Sequence, residues 1–254
     1  MILILSPAKT LDFKTKITEQ EHSLPFFIRE AGELVAELKK YSPAQLQQLM
    51  GINSKLALLN AERFGMWNKK HPVNESRQAI FAYKGEVYNG LKSNSLDKKA
   101  IKKSQDILRI FSGLYGVLKP LDLIMPYRLE MGIKFKMGNH SDLYSYWGDK
   151  ISRSIAEELV RSKEKTLVNL ASAEYYRAME PSKIKYRTIT PVFLEDRQDE
   201  YKMITIYTKK ARGLMTRFVL ENDIKKVEDI KAFDYEGYHF NNRLSKNDEW
   251  VFTR

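Results

Sequence analysis

The sequence predicts an α+β fold in one continuous domain. Three observations point there. Helix-like and strand-like apolar spacings are mixed along the 254 residues without a regular strand–helix–strand alternation. No internal repeat, low-complexity tract or linker divides the chain. Apolar residues make up 43% and charged residues 30%, the profile of a chain that builds a sizeable core and a solvated surface.

The elements follow in order. Ile2–Leu5 is a continuous apolar run ending in Ser6-Pro7, which predicts a buried strand stopped by the proline. Pro25 to Lys40 carries Ile28, Leu34, Val35 and Leu38 at helical spacing. Ser42, Pro43 and Gln45 together form a helix start, with a cap, a first-turn proline and a capping box. Leu46 and Leu49 supply that helix's apolar face, and Gly51 ends it. Asn53 or Ser54 caps the next helix, whose Leu56, Ala57 and Leu59 are expected to pack back. Residues 95–111 read as a helix with Ile101, Ile107, Leu108 and Phe111 inward and Lys98, Lys99, Lys102 and Lys103 as a solvated face. RLEMGIKF (128–135) alternates and predicts a strand. Ile151, Ile155 and Leu159 mark a helix, TLVNLA (166–171) a buried strand, and Tyr175 and Tyr176 a short helix. IKYRTITPVF and YKMITIYT, separated by EDRQDE, predict a hairpin. ARGLMTRFVLEN returns to helical spacing, and the tail reads as two short strands around a polar turn.

Lys and Arg number 43 against 32 Asp and Glu, a net charge of +11 that favours a polyanionic partner such as nucleic acid. The chain has no cysteine, which excludes disulfides, thiolate metal sites and cysteine nucleophiles. His22, His71, His140 and His239 are scattered, so no helical metal pair occurs, and neither a metal nor a cofactor is expected. The opening MILILSPAK lacks a basic region and a long apolar run, and no stretch approaches membrane-spanning length. A cytoplasmic protein, monomeric and without a membrane partner, is the expectation.

The stretch Leu49-Met50-Gly51-Ile52-Asn53-Ser54-Lys55-Leu56-Ala57 joins two helices with almost no loop. It follows the helix-hairpin-helix pattern Leu-x-Gly-apolar-Gly with Ala four residues on, except that Asn53 stands at the second glycine. Asn tolerates a left-handed backbone better than most residues, so the change is mild. A helix N-terminus presents unpaired N–H groups and partial positive charge, which suits a phosphate oxygen, and Lys55 stands beside it. Such contacts carry no base information. A plain helical hairpin closed by glycine is the alternative.

Three other stretches suit an anionic ligand. In SPAKTL, Lys9 follows a strand end, where open α/β sheets place ligands. In SGLYGVLKPLDLIMPYRLEMG, Gly113 and Gly116 bracket a turn, and Arg128 and Glu130 share one side of an extended segment. In KKARGLMTRF, Lys209 and Lys210 are expected to close a strand and Arg212 to open a helix, where cations oppose the helix dipole unless an anion binds. NLASAEYY adds Asn169, Ser172 and Glu174. No serine elbow, P-loop or dinucleotide fingerprint occurs.

The blocks SPAKTLDF, YKGEVY, SGLYGVLKPLDLIMPYRLEMG, WGDKI, LVNLASAEYY and KKARGLMTRF resemble, in order, those of the YaaA family of bacterial peroxide-stress proteins. The resemblance implies a single-domain fold peculiar to that family, with a helix-hairpin-helix subdomain (about 42–64) beside a basic cleft. It also implies binding to double-stranded DNA without marked sequence preference and a role in limiting iron-linked oxidative damage. The DNA-binding residues expected here are Gly51, Ile52, Asn53, Ser54 and Lys55, with Lys9, Lys84, Arg128, Lys209, Lys210 and Arg212. The alternative is an enzyme acting on a small anionic or nucleotide-like substrate, with Ser6, Lys9, Glu130, Asn169, Ser172 and Glu174 in a polar cleft. Carboxylates meeting Lys209 in one pocket would favour it.

Overall fold

The sheet is built on the short apolar runs that hydropathy marks first. A computed structural model of the chain describes residues 1–197 and 200–254. Its main sheet holds β1 (Ile2–Leu5), β2 (Leu108–Ser112), β3 (Gly116–Leu118), β4 (Thr166–Leu170), β5 (Arg187–Arg197), β6 (Glu200–Lys202), β7 (His239–Phe240) and β8 (Glu249–Thr253). The strand order is β7-β8-β5-β4-β1-β2-β3, with β6 paired to β5. The five strands from β8 to β2 run parallel, with Leu3 opposite both Val168 and Leu108. β3, β6 and β7 add antiparallel edges.

Helices and strands are thus mixed in one body, as the sequence predicts, but the spine of the sheet is parallel. The expectation of α+β rested on the missing alternation. It was missing because the crossover from β1 to β2 spans residues 6–107 and buries the signal of one strand–helix–strand unit in a long excursion. Every residue of β1, β2 and β4 is buried, the pattern of parallel strands covered on both faces.

Several elements form where expected. Ile28–Leu38 buries Leu34, Val35 and Leu38. Ser42, Pro43 and Gln45 make the full capping box of Pro43–Met50. Lys150–Arg161 buries Ile151, Ile155 and Leu159, Ala173–Arg177 is a short helix, and β7 pairs with β8 at the tail.

Other elements differ, each for a physical reason. The 95–111 helix occupies only Lys98–Ile107, because Leu108 to Ser112 joins the sheet as β2; an apolar run fits either state until a partner strand decides. Lys103 is not simply solvated. It donates to the carbonyls of Val219 and Ile224 and pairs with Asp223 at 2.9 Å. RLEMGIKF joins no ladder and turns at Met131-Gly132, where the Ile133 amide donates to the Glu130 carbonyl at 3.3 Å. Leu129, Met131, Ile133 and Phe135 are buried and the residues between them are not, so the alternation reports burial, not pairing. Leu59 is exposed, and Ala57, Asn60 and Phe64 form the inward stripe of Ser54–Met66. The hairpin strand after β5 ends at Lys202, and its turn at 198–199 lies outside the described residues. Thr205 to Glu221 is one long helix, so Lys209, Lys210 and Arg212 sit in its interior, not at its start. The dipole argument for an anion there falls away.

The long helix crosses the short helix Glu86–Leu91 backbone against backbone. A methyl group added at Gly213 would stand 1.8 Å from the Val87 carbonyl oxygen, and one at Gly90 would stand 2.2 Å from that of Lys210. Neither helix has a flexible side chain that could give way. Gly213→Ala should therefore cost about 3 kcal/mol or more of unfolding free energy in urea titration.

Asp122, after β3, is buried and accepts from the Ser23 hydroxyl at 2.6 Å and the Lys119 amide at 2.7 Å. Burial pushes its pKa up to about 6 against these bonds, which favour the ionised form. A carboxyl with a raised folded pKa stabilises the fold below the usual carboxylate range and loses that contribution as pH rises through about 6. Carbon-13 NMR titration of the Asp122 carboxyl should show its midpoint near that pH.

Candidate functional site

A cavity of about 310 Å³ opens where β1 and β4 end. Open parallel sheets bind ligands at the carboxyl ends of their strands, because diverging connections leave a crevice there. β1 ends at Leu5, just before Ser6-Pro7, as its sequence predicts, and β4 leads through Ala171 into Ser172. The Ser172 amide donates to the Ser6 hydroxyl at 2.8 Å, tying the two strand ends together, and the Tyr88 hydroxyl donates to the Ser6 carbonyl at 3.0 Å. A two-residue antiparallel ladder sets Thr10 opposite Lys84 and brings the YKGEVY segment to the rim.

The cavity collects Ser6, Lys9, Lys84, Arg128, Glu130, Ser172, Glu174, Lys209 and Arg212 from distant parts of the chain. Its lining has five cationic side chains against three acidic ones, the third being Glu86, so it is net positive by two. Glu130 sits between two cations. Its carboxylate meets the Lys9 ammonium at 2.5 Å and accepts from Arg128 Nη2 at 2.9 Å. Glu174 accepts from the Gly132 amide at 2.9 Å. Glu130, Glu174 and Lys209, the groups on which the enzyme alternative turns, do line one cavity.

The cations fall into two sets. The Lys9 and Lys84 side chains are 64% and 62% exposed, and Lys209 is exposed too. They form a rim. Arg128 is 18% exposed, and its Nε is buried without a hydrogen-bond partner among the described residues. The Nε of Arg212 is in the same state, and burial lowers the pKa of that guanidinium. Two buried N–H donors on positive groups that line the cavity, both without a partner among the described residues, are costly in an apolar setting. They mark the floor of the cavity as the place where acceptors are missing.

Two expected residues lie elsewhere. Asn169 is buried on β4 and accepts from the Ala171 amide at 3.1 Å, which shapes the strand end. Lys210 pairs with Glu236 at 2.5 Å. Lys209 and Lys210 are neighbours on a helix, so they point about 100° apart and only one can face the cavity. Lys209 and Arg212, three apart, share a face.

Glu86, Tyr127 and Tyr175 also line the cavity and were not singled out. Tyrosines next to buried apolar residues read as core, and here they are both core and wall. Tyr127 shares short hydrogen bonds of 2.6 Å with the hydroxyls of Tyr83 and Ser112. Burial pushes the Tyr127 phenol up to about 12, so it stays protonated at neutral pH. Ser6 exchanges its side-chain hydrogen bonds with Ser172, which is no base, and so lacks an activating partner among the described residues.

The helical hairpin is a separate feature. Gly51 adopts the left-handed conformation (φ 60°, ψ 41°) that ends Pro43–Met50. Asn53 does not; at φ −74° and ψ 165° it is the N-cap of Ser54–Met66, and its side-chain oxygen accepts from the Leu56 amide at 2.9 Å. The tolerance of Asn for a left-handed backbone is therefore not what Asn53 supplies. It takes up one of the free donors itself, leaving the amides of Ser54 and Lys55 toward solvent. Gly51, Asn53, Ser54 and Lys55 are exposed and Ile52 is half-buried.

Comparison with known proteins places the chain. The family described as "Peroxide stress protein YaaA" matches residues 1–244. A UPF0246 protein of Hahella chejuensis is 45% identical over 254 residues, covering 100% of this chain and 99% of its own. UPF0246 proteins of Aliivibrio fischeri strain MJ11 and of Janthinobacterium sp. strain Marseille are 44% and 43% identical, each over 100% of this chain and 98% of their own. The chain belongs to the YaaA family of peroxide stress proteins. Among its described residues no helix is long and apolar enough to cross a membrane.

Tyr127→Phe would leave the hydroxyls of Tyr83 and Ser112 buried beside a ring that offers nothing. The expected loss is about 1–3 kcal/mol in urea unfolding. Combining it with Ser112→Ala should cost less than the sum of the two single changes, since both remove the same bond.

Proposed function

We propose that this member of the YaaA family is a cytoplasmic protein that binds double-stranded DNA by its phosphate backbone and so helps limit iron-linked oxidative damage. The observation that carries the reading is the exposed turn from Gly51 to Lys55. It presents the N-terminus of a thirteen-residue helix, with Lys55 beside the free amides, on a chain of net charge +11. Backbone donors and partial positive charge there suit a phosphate oxygen, and Lys55 adds a full charge. The rim lysines Lys9, Lys84 and Lys209 offer further contacts. Their side chains are long and solvated, the form that phosphate contacts take when they position a duplex without reading its bases.

The arrangement accounts for Asn53 as well. A glycine there would leave the Leu56 amide free, whereas Asn53 caps it and makes the helix start rigid at the expense of one donor.

Fluorescence anisotropy with blunt duplex DNA tests this. Affinity should fall steeply with salt, as counterions are released on binding. Lys55→Glu should weaken binding by about tenfold and lower the salt slope by about one unit. Binding that ignores salt, or no binding at low salt, sinks the proposal. Unchanged binding by Lys55→Glu would remove the hairpin from the interface.

A further inference from the structure

We infer that the floor of the cavity is a phosphomonoester site, sized for a mononucleotide and separate from the hairpin. The inference does not rest on the DNA-binding reading. It starts from Arg128 and Arg212, whose Nε groups are both buried, both without a partner among the described residues, and both on side chains that line one cavity. Arg128 gives Nη2 to Glu130, and its buried Nε, on the same edge, has no partner among the described residues. A guanidinium can present its two Nη groups in a fork that matches two oxygens of one phosphate. Two such groups call for a ligand that is compact, carries several acceptors and is negatively charged.

Charge narrows the class. The lining is net positive by two, and a phosphomonoester carries about −1.5 to −2 at neutral pH. A carboxylate or a phosphodiester brings only a single charge. A phosphodiester inside a duplex is also flanked by chain on both sides, so it can meet the exposed Lys9 and Lys84 at the rim but not the recessed arginines. The volume of about 310 Å³ is at the lower end of ligand-binding cavities, enough for a mononucleotide and little more. Pro7, Val87, Leu129, Tyr127 and Tyr175 give the cavity an apolar wall against which a ribose or base can pack. Glu130 and Glu174 then have a use that a purely electrostatic groove would not give them. Glu130 holds Lys9 and Arg128 in place, and Glu174 holds the Gly132 amide and thereby the segment that carries Arg128.

The phosphomonoester has two sources, a free mononucleotide or the 5′-phosphate end of a DNA strand. Isothermal titration calorimetry of the intact protein separates them. Adenosine 5′-monophosphate should bind, adenosine should not, and inorganic phosphate should compete. Arg212→Lys, which keeps the charge and loses the fork, should weaken the nucleotide by about tenfold or more. Its circular dichroism and urea midpoint report whether it folds, and Arg128→Lys provides a second variant if it does not. Tighter binding of a 5′-phosphorylated single strand than of its 5′-hydroxyl twin, lost in Arg212→Lys, assigns the site to DNA ends. Nucleotide binding with no preference between those strands assigns it to free nucleotides. Nucleotide binding should persist in Lys55→Glu, so the failure of either proposal can be told from that of the other. Equal binding of adenosine and its monophosphate, no binding of any phosphomonoester at millimolar concentration, or equal affinity in folded Arg212→Lys and Arg128→Lys would overturn the inference.

Discussion

The close backbone crossing of Glu86–Leu91 and Thr205–Glu221, permitted by Gly90 and Gly213, is the constraint on which the candidate site depends. Two helix backbones can come this close only where neither carries a side chain at the crossing. One helix begins just after Lys84 and Gly85; the other carries Lys209 and Arg212. Their separation fixes how far the YKGEVY segment stands from the long helix, and hence the width of the cavity between them. Gly113 plays a similar part on the opposite side. A methyl group there would stand 2.3 Å from the Leu129 carbonyl oxygen, so its absence lets the Arg128–Glu130 segment lie against the β2–β3 turn. The site is narrow because its supporting backbones touch.

Within that frame the cations divide by depth. Lysines hold the rim, where an ammonium on a flexible stem stays hydrated. Arginines hold the floor, where a planar, weakly hydrated group tolerates burial better. Three carboxylates limit the net charge, and Glu130 keeps two of the cations apart by pairing with both. A groove selected only for attraction to DNA would have no use for a carboxylate that pairs with Lys9 and Arg128. The proposed anchor at the hairpin and the proposed pocket at the strand ends draw on different residues. The tyrosine network behind the pocket stiffens it, since the Tyr127 hydroxyl shares hydrogen bonds with both Tyr83 and Ser112.

Much of this was legible in particular residues. The capping box at Ser42 and the break at Gly51 are local chemistry, carried by residues three or four apart, and they form as the sequence predicts. β1 and β4 are short apolar runs with clear ends. Where tertiary partners decide, the reading diverged. Leu108 to Phe111 could extend a helix or enter a sheet, and β1 on one side made it a strand. Lys209 and Lys210 looked like a strand end because Thr205 to Thr208 is rich in β-favouring residues. In the fold those residues begin a helix, whose packing against Glu86–Leu91 outweighs their weak local preference.

The sequence by itself determined the chain's family, its net charge, the helical hairpin, and most of the polar residues that meet in the cavity. These follow from composition and from patterns a few residues long. Only the tertiary structure decided that Ser6, Arg128, Ser172 and Arg212 share one cavity, that Asn169 and Lys210 do not, and that Asn53 caps a helix instead of turning the chain. It also decided which cations are rim and which are floor. The cavity is assembled by contacts between distant residues, such as Ser6 with Ser172 and Lys9 with Glu130, and no local spacing records them.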